Sequence, residues 1–241
     1  MGKGSGDYRI QIDGRWHLED LRTFTGEYQK LYAFFFHLQS KRQSDRARLS
    51  AALPWQGGFS TVNFFEGLIR EVPNTAQPRI VRMQYASPGW LEFDLLANVA
   101  TQIAVAVTVV CTSFNSAAET YGYIQRGLAR LKLTKTPAKS RELQLERERR
   151  EFVRLALRDL RALLGSDLVD QVLAISPNEL AGLKTLLTVM RRIEPLADLR
   201  NRGMITSFDG EESNAVPKGK RKISKPRQRA KAARKPRRSG S

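Results

Sequence analysis

The sequence predicts an α+β fold: a small, mostly antiparallel sheet packed by helices, followed by an α-helical region and a disordered basic tail. Three observations predict it. Strand-type alternation occurs near the start and in the middle of the chain, segments with helical spacing lie between and after these strands, and Lys and Arg crowd the C-terminal end. A chain of 241 residues is long enough for one or two domains with a buried core.

The chain begins with a predicted strand and two predicted helices. Tyr8, Ile10 and Ile12 alternate with polar residues and end at an Asp13-Gly14 turn, which is typical of a half-buried strand. The helix that follows has apolar residues at spacings of three and four, namely Leu21, Phe24, Tyr28, Leu31, Phe35 and Leu38. A second helix is expected over 60–71, and Ser60 is its candidate N-terminal cap.

A β-hairpin is predicted over 81–94. Its two strands each alternate apolar and polar side chains, and Ser87-Pro88-Gly89 supplies the turn between them. The apolar residues of this alternation are Val81, Met83 and Tyr85 on the first strand and Leu91 and Phe93 on the second. The first half of the chain therefore predicts the order strand–helix–helix–strand–strand.

The segment 95–118 contains 24 residues without a charge and is predicted to be one long helix. Polar residues recur along it every three or four positions and form one face: Asn98, Thr101, Gln102, Thr108, Thr112, Asn115 and Ser116, continued by Glu119. Amides are unfavourable deep in a bilayer, so we favour a mostly buried helix whose polar face meets solvent. The alternative is a membrane span or an oligomeric helical bundle, because the segment is long enough and carries small residues that allow close approach.

Residues 139–205 predict an α-helical region. A charged helix is expected over 140–164, with Leu145, Phe152, Ala156, Leu160 and Leu163 on its apolar face. This face covers only about three heptads, so we favour packing on the same chain over a coiled coil. Ser176-Pro177-Asn178-Glu179 is a start signal for a final helix, with Ser176 as the cap. A short strand or a stop is expected near residues 203–206.

These patterns divide the chain into four parts. Residues 1–6 are expected to be disordered, 7–135 form an α+β domain that includes the uncharged helix, and 139–205 form the α-helical region. Residues 206–241 are expected to be a disordered linker and a polybasic tail.

The tail is the segment that indicates a class of partner. It contains twelve basic residues and no acidic or aromatic residue between residues 218 and 238, which leaves only +5 of the net charge of +17 for the rest of the chain. The candidate nucleic-acid-binding residues are Lys218, Lys220, Arg221, Lys222, Lys225, Arg227, Arg229, Lys231, Arg234, Lys235, Arg237 and Arg238. Such a run can follow a phosphate backbone, and without aromatic side chains it cannot stack on bases. Its composition resembles the Lys/Arg/Ala/Pro tails of histone-like proteins.

Three other interpretations of the tail stay open. A polybasic tail also binds the anionic lipid of an inner membrane leaflet. The run Lys220-Arg221-Lys222 followed by Lys225-Pro226-Arg227-Gln228-Arg229 has the form of a nuclear-import signal, and in a bacterial protein a basic C-terminus can also resemble a secretion signal. A tail of this kind can simply keep a protein in solution.

No catalytic or metal-binding pattern is evident in the sequence. The phosphate-loop and nucleophile-elbow motifs are absent, one cysteine and two histidines are too few for a dedicated metal cluster, and no cofactor is indicated. His17 is expected to open the first helix beside Glu19 and Asp20, and His37 is expected near the end of that helix. Cys111 is expected to be a buried, inert thiol.

The sequence therefore predicts a non-enzymatic, nucleic-acid-associated protein that binds DNA or RNA backbone nonspecifically through its tail. The folded part is expected to mediate protein–protein contacts or self-association, as a homo-oligomer, in the cytoplasm or on the nucleoid. No small-molecule substrate is indicated. The alternative is a membrane-associated effector or scaffold with 95–118 in the bilayer or a bundle, the tail on anionic lipid and the C-terminus in the cytoplasm.

Overall fold

The computed structural model describes residues 6–40, 49–50, 61–133 and 139–209. Its four strands are β1 (Gly6–Ile12), β2 (Arg79–Gln84), β3 (Gly89–Leu95) and β4 (Ile205–Phe208). The helices in the described part of the chain are α1 (Leu18–Gln39), α2 (Thr61–Glu71), α3 (Ala97–Thr112), α4 (Phe114–Leu133), α5 (Lys139–Leu164), α6 (Ser166–Ile175) and α7 (Glu179–Asn201). The predicted α+β fold is confirmed.

The four strands form one antiparallel sheet in the order β2-β3-β1-β4. With α1 after β1 and α7 immediately before β4, this is the order of a split β-α-β-β-α-β unit, into which α2 and α3–α6 are inserted. The ranges 7–135 and 139–205 therefore contribute to one sheet and one hydrophobic core, because β4 closes the edge beside β1.

The inner face of the sheet is buried under the helices. Tyr8, Ile10 and Ile12 of β1 alternate with exposed polar residues, so the predicted half-buried strand is confirmed. On β3, Leu91 and Phe93 are buried beside them, as expected. The apolar side chains predicted on the first helix are buried except for Leu21, and Phe24 and Tyr28 among them pack against Phe93 of β3. Burial of this shared apolar surface is the main force that joins helices and sheet.

The hairpin forms as predicted, but its first strand departs from the expected alternation. A bulge between Ile80 and Arg82 leaves Val81 without a partner on β3, so Ile80 and Met83 take the inner face. The turn needs a glycine at Gly89, because a Cβ there would lie 2.5 Å from the carbonyl oxygen of Gln84.

The uncharged segment is not one helix from residue 95 to residue 118. Leu95 ends β3, α3 begins at Ala97, and α3 and α4 meet at an angle of 91° around Ser113. The carbonyl oxygen of Val109, in the last turn of α3, accepts hydrogen bonds from the hydroxyls of Thr112 and Ser113, at 2.9 and 2.7 Å, and from the backbone N–H of Ser113 at 3.2 Å.

Within α3, the predicted division into a buried face and a polar face is confirmed. Its buried residues are Val99, Ala100, Ile103, Ala104, Ala106, Val107 and Val110, whereas Asn98, Thr101 and Thr112 are exposed. The charged helix also packs on its own chain, as favoured: Ala156, Leu160 and Leu163 are buried and Phe152 is half-buried. The side chain of Leu145 lies outside the described residues.

The expected ends of the folded part require two corrections. Gly6 pairs with Leu95 in β1, and residues 206–208 belong to β4, so neither range is disordered or linker. β4 forms because Ile205 and Phe208 bury their side chains while completing the open edge of β1. Residues 1–5 and 210–241, where disorder was also expected, lie outside the described residues.

The last helix begins two residues later than its start signal indicates. Asn178, rather than Ser176, caps α7 by accepting a hydrogen bond from the backbone N–H of Ala181 at 2.9 Å. The hydroxyl of Ser176 instead donates to the carbonyl oxygen of Val172 and so closes the end of α6. The two polar residues thus serve two helix ends, with Pro177 between them.

One buried hydroxyl ties α1 to both ends of the hairpin. The hydroxyl of Tyr32 donates to the carbonyl oxygen of Ala76 at 2.8 Å and accepts from the backbone N–H of Leu96 at 3.1 Å. Ala76 precedes β2 and Leu96 follows β3, so one side chain fixes where the chain enters and leaves the hairpin. Tyr28, one helical turn earlier, is equally buried, but its hydroxyl has no hydrogen-bond partner among the described residues.

We expect Tyr32→Phe and Tyr28→Phe to have different effects on stability. Removal of the Tyr32 hydroxyl leaves two backbone groups unsatisfied and should cost about 1–3 kcal/mol of unfolding free energy. Removal of the Tyr28 hydroxyl breaks no bond and should leave stability unchanged or higher. Urea unfolding of the two variants measures the difference, and equal losses would contradict this account of the hairpin.

Candidate functional site

The twelve basic residues predicted to bind nucleic acid all lie in 210–241, outside the described residues. Their placement therefore stays a prediction. The folded part nevertheless presents three surface features on which a function can be based: a row of arginines on α5, the outer face of the sheet, and the exposed edge of β2.

Five exposed arginines lie along one face of α5. They are Arg147, Arg150, Arg154, Arg158 and Arg161, and we call them the arginine row. Their spacings of three and four residues place them within about 80° of the helix circumference and over about 21 Å of its length. The buried face of α5, centred on Ala156 and Leu160, points in a different direction, so the row is free to meet a large partner.

Three members of the arginine row make ion pairs at the surface. Arg150 lies 3.0 Å from Glu146, Arg158 lies 3.1 Å from Asp159, and Arg161 lies 2.8 Å from Asp170. Ion pairs between such exposed side chains contribute only about 0–1 kcal/mol, so phosphate groups can displace the carboxylates at small cost. Among the described residues, no carboxylate lies within 4.0 Å of the guanidinium groups of Arg147 and Arg154.

The outer face of the sheet carries a compact group of charged and aromatic side chains. The guanidinium of Arg9 lies 4.6 Å above the centre of the Trp90 ring and 3.4 Å from the carboxylate of Glu92. The indole N–H of Trp90 donates to the side-chain oxygen of Gln84 at 2.7 Å. The group links β1, β3 and β2 across the open face. Because Arg9 already covers the ring and compensates Glu92, these contacts stabilise the sheet.

The edge of β2 is the third feature. Every residue from Arg79 to Gln84 is exposed, and β2 is the outermost strand beside β3. Periodicity in the sequence correctly predicted the strand. It could not predict the edge position, because the order of strands in the sheet depends on where the distant strands β1 and β4 pair.

The arginine row was detectable from the sequence by its three- and four-residue spacing, but the intervening glutamates obscured it.

The histidines and the cysteine have structural contacts. The backbone N–H of His17 donates to the carboxylate of Asp20 at 3.0 Å at the start of α1, which confirms its expected place there. His37 lies in the last turn of α1 as expected, but it is buried, and its Nε2 is 3.1 Å from the carbonyl oxygen of Leu68 on α2. Cys111 is only partly buried, and its thiol donates to the side chain of Asn201 at 2.9 Å.

No group of three or more potential metal ligands occurs among the described residues. In that same part of the chain, no single helix has the length and apolar character needed to cross a membrane. The bent pair α3–α4 meets those criteria by length and composition when its helices are combined. Comparison of the chain with protein-family models, with curated proteins and with solved structures finds no match.

Asp20 gives the start of α1 a dependence on pH. The backbone N–H of His17 and then the guanidinium of Arg202, 2.9 Å away, hold the pKa of the Asp20 carboxyl below its ordinary value of 3.8. A carboxyl group whose pKa is lower in the folded state stabilises the fold above the unfolded-state pKa. It loses that contribution as the pH falls through the folded-state pKa.

We therefore expect Asp20→Asn to reduce stability at pH 7 and to have a smaller effect at pH 2, because the wild-type carboxyl loses its stabilising charge as the pH falls through its folded-state pKa. Urea unfolding at both pH values measures this change, and Glu19→Gln, on the exposed side of the same helix turn, is the control. An Asp20→Asn effect that is the same at both pH values would show that its charge is unimportant.

Proposed function

We propose that the protein binds nucleic acid through the sugar–phosphate backbone, without selecting a base sequence. The observation that carries the proposal is the run of twelve basic residues, with no acidic residue, between residues 218 and 238. Double-stranded DNA carries one negative charge per roughly 1.7 Å of helix axis, and each cation that contacts it releases condensed counterions. A segment of this charge density therefore gains affinity for any duplex or single strand.

The arginine row on α5 supports a contribution from the folded part. Successive arginines of the row rise by about 4.5–6 Å along the helix, and the whole row extends as far as about six phosphates of one DNA strand. Arg147 and Arg154, which make no ion pair with a described carboxylate, are available for phosphate contacts without breaking an existing interaction. The row would then orient the folded part on a strand that the tail holds.

The folded part has a second role in this proposal, which is association with another protein. Nonspecific backbone binding confers no location by itself, because every stretch of nucleic acid competes for the tail. A protein-binding surface on the folded part would bring a particular partner to nucleic acid. Among the described residues, the exposed edge of β2 is the surface that best suits this role.

Fluorescence anisotropy with labelled duplex DNA and single-stranded RNA tests the tail. If about six of its twelve charges contact phosphates, the logarithm of the affinity should fall with the logarithm of salt concentration at a slope near −5. We expect a variant without residues 217–241 to lose most of the binding and most of this slope. Binding that is unchanged by the truncation would overturn the proposal, and strong binding to anionic vesicles with none to DNA or RNA would replace it.

A matched pair of full-length variants tests the arginine row. Arg147→Gln with Arg154→Gln should reduce the salt slope by about 2, because two phosphate contacts are lost. Arg15→Gln with Arg22→Gln removes the same net charge from exposed positions near the start of α1 and should have little effect. Equal effects of the two variants would show that only net charge matters and that α5 makes no contact with the strand.

A further inference from the structure

The edge strand β2 exposes both its backbone and its apolar side chains. Its inner neighbour is β3, and no strand in the described part of the chain pairs with its outer side. Ile80, Val81, Met83 and Tyr85 are 47%, 51%, 50% and 62% exposed. These four are half of the eight large apolar side chains that are exposed among the described residues, and all of them lie in β2 or directly after it. Exposed apolar side chains beside strand backbone that no other described strand pairs with are typical of a binding surface.

A cavity opens beside the inner side of this edge. It has a volume of about 320 Å³ and is lined by Phe24 and Tyr28 of α1, Phe93 of β3, and Pro78 and Ile80 at the edge. Ile80, which faces inward from β2, lines one wall of the cavity. The aromatic lining suits aliphatic side chains that project inward from an added strand.

The outer face of the same edge is positively charged. Arg79 and Arg82 lie opposite Asp94 and Glu92 on β3, but Glu92 pairs with Arg9 on β1. Within the described residues, neither Arg79 nor Arg82 has a carboxylate within 4.0 Å. A strand added beside β2 would therefore place its outward-facing side chains next to two arginines that lack an ion-pair partner in this part of the protein.

We propose that the β2 edge binds an extended segment of a partner protein in which aliphatic and acidic residues alternate. The segment adds a fifth strand to the sheet through backbone hydrogen bonds. Its aliphatic residues face inward against Ile80, Met83 and the cavity, and its Asp or Glu residues face outward toward Arg79 and Arg82. The inference deepens the association role in the proposed function and rests on it, since it names the surface and the chemistry of the partner.

The charges distinguish this partner from two others. In a second copy of the chain paired edge to edge and antiparallel, Arg79 and Arg82 of the two copies would come together, and like charges on neighbouring strands are destabilising. The basic tail of the same chain is excluded on the same ground, because it carries twelve positive charges and no negative one between residues 218 and 238. An acidic segment complements the edge.

Two blocked, fluorescein-labelled nine-residue peptides test the proposal with full-length protein in the absence of nucleic acid. One alternates Glu with Ile or Val, and the other has Lys in place of Glu. Fluorescence anisotropy should show saturable binding of the Glu peptide and little binding of the Lys peptide. A peptide of the same composition as the Glu peptide, with its aliphatic residues grouped at one end, should bind at least about tenfold more weakly.

Two surface variants locate the binding site. Arg79→Glu with Arg82→Glu should lower the affinity for the Glu peptide by about tenfold or more and should raise the affinity for the Lys peptide. Arg15→Glu with Arg22→Glu makes the same change of net charge near the start of α1, and the protein should still bind the Glu peptide more tightly than the Lys peptide. Ile80→Ser with Met83→Ser, at half-exposed positions, should weaken binding of the Glu peptide, with circular dichroism used to confirm folding.

Three results would overturn the inference. The first is no saturable binding of the Glu peptide, and the second is an equal change in peptide affinity in the two charge-reversal variants. The third is a protein dimer that is abolished by Ile80→Ser with Met83→Ser but is not disrupted by the Glu peptide. Salt-dependent DNA binding by the same preparation is measured in parallel. DNA binding without peptide binding would contradict only the inference about the β2 edge. Peptide binding without DNA binding would contradict only the proposed binding of nucleic acid.

Discussion

The fold depends on the burial of the aromatic face of α1. Phe24 and Tyr28 of this helix pack against Phe93 of β3, with ring centres 6.3 and 5.5 Å apart, and Tyr32 holds both ends of the hairpin. The opposite sides of α1 contact α2, α3 and α7. Since aromatic side chains bury roughly 150–250 Å² each, this one helix joins the sheet to the helical layer.

The same constraint explains the exposed edge. A four-stranded sheet is about 14 Å wide, whereas one helix with its side chains covers about 10–12 Å. α3 and α7 contact β1 and β4 respectively, so the helical cover lies toward that side of the sheet. β2, on the far side, keeps its apolar side chains at the surface, and the cavity beside Ile80 lies at the margin of this cover. The surface proposed for a partner is therefore a direct consequence of how the core is built.

Local patterns predicted the elements better than their arrangement. Alternation over 8–12 and the spacing from Phe24 to Leu38 predicted β1 and α1, because a buried face imposes its period on the sequence. The break at Ser113 was missed, because no proline, glycine or charged residue marks it in the sequence. The bulge at Val81 and the pairing of β4 with β1 depend on contacts between distant parts of the chain, which periodicity cannot supply. For the same reason, the sequence predicted a basic tail and a charged helix over 140–164, but gave no sign that β2 would be an uncovered edge.

We propose different roles for the tail and the folded part: the tail would provide affinity for phosphate, and the folded part would orient the protein and recruit a partner. The most direct test of the central claim is the nucleic-acid content of protein purified at low salt, with and without residues 217–241. The account predicts that the full-length protein carries nuclease-sensitive nucleic acid and that the truncated protein carries almost none. Equal nucleic-acid content in the two preparations, or none in the full-length protein, would contradict it.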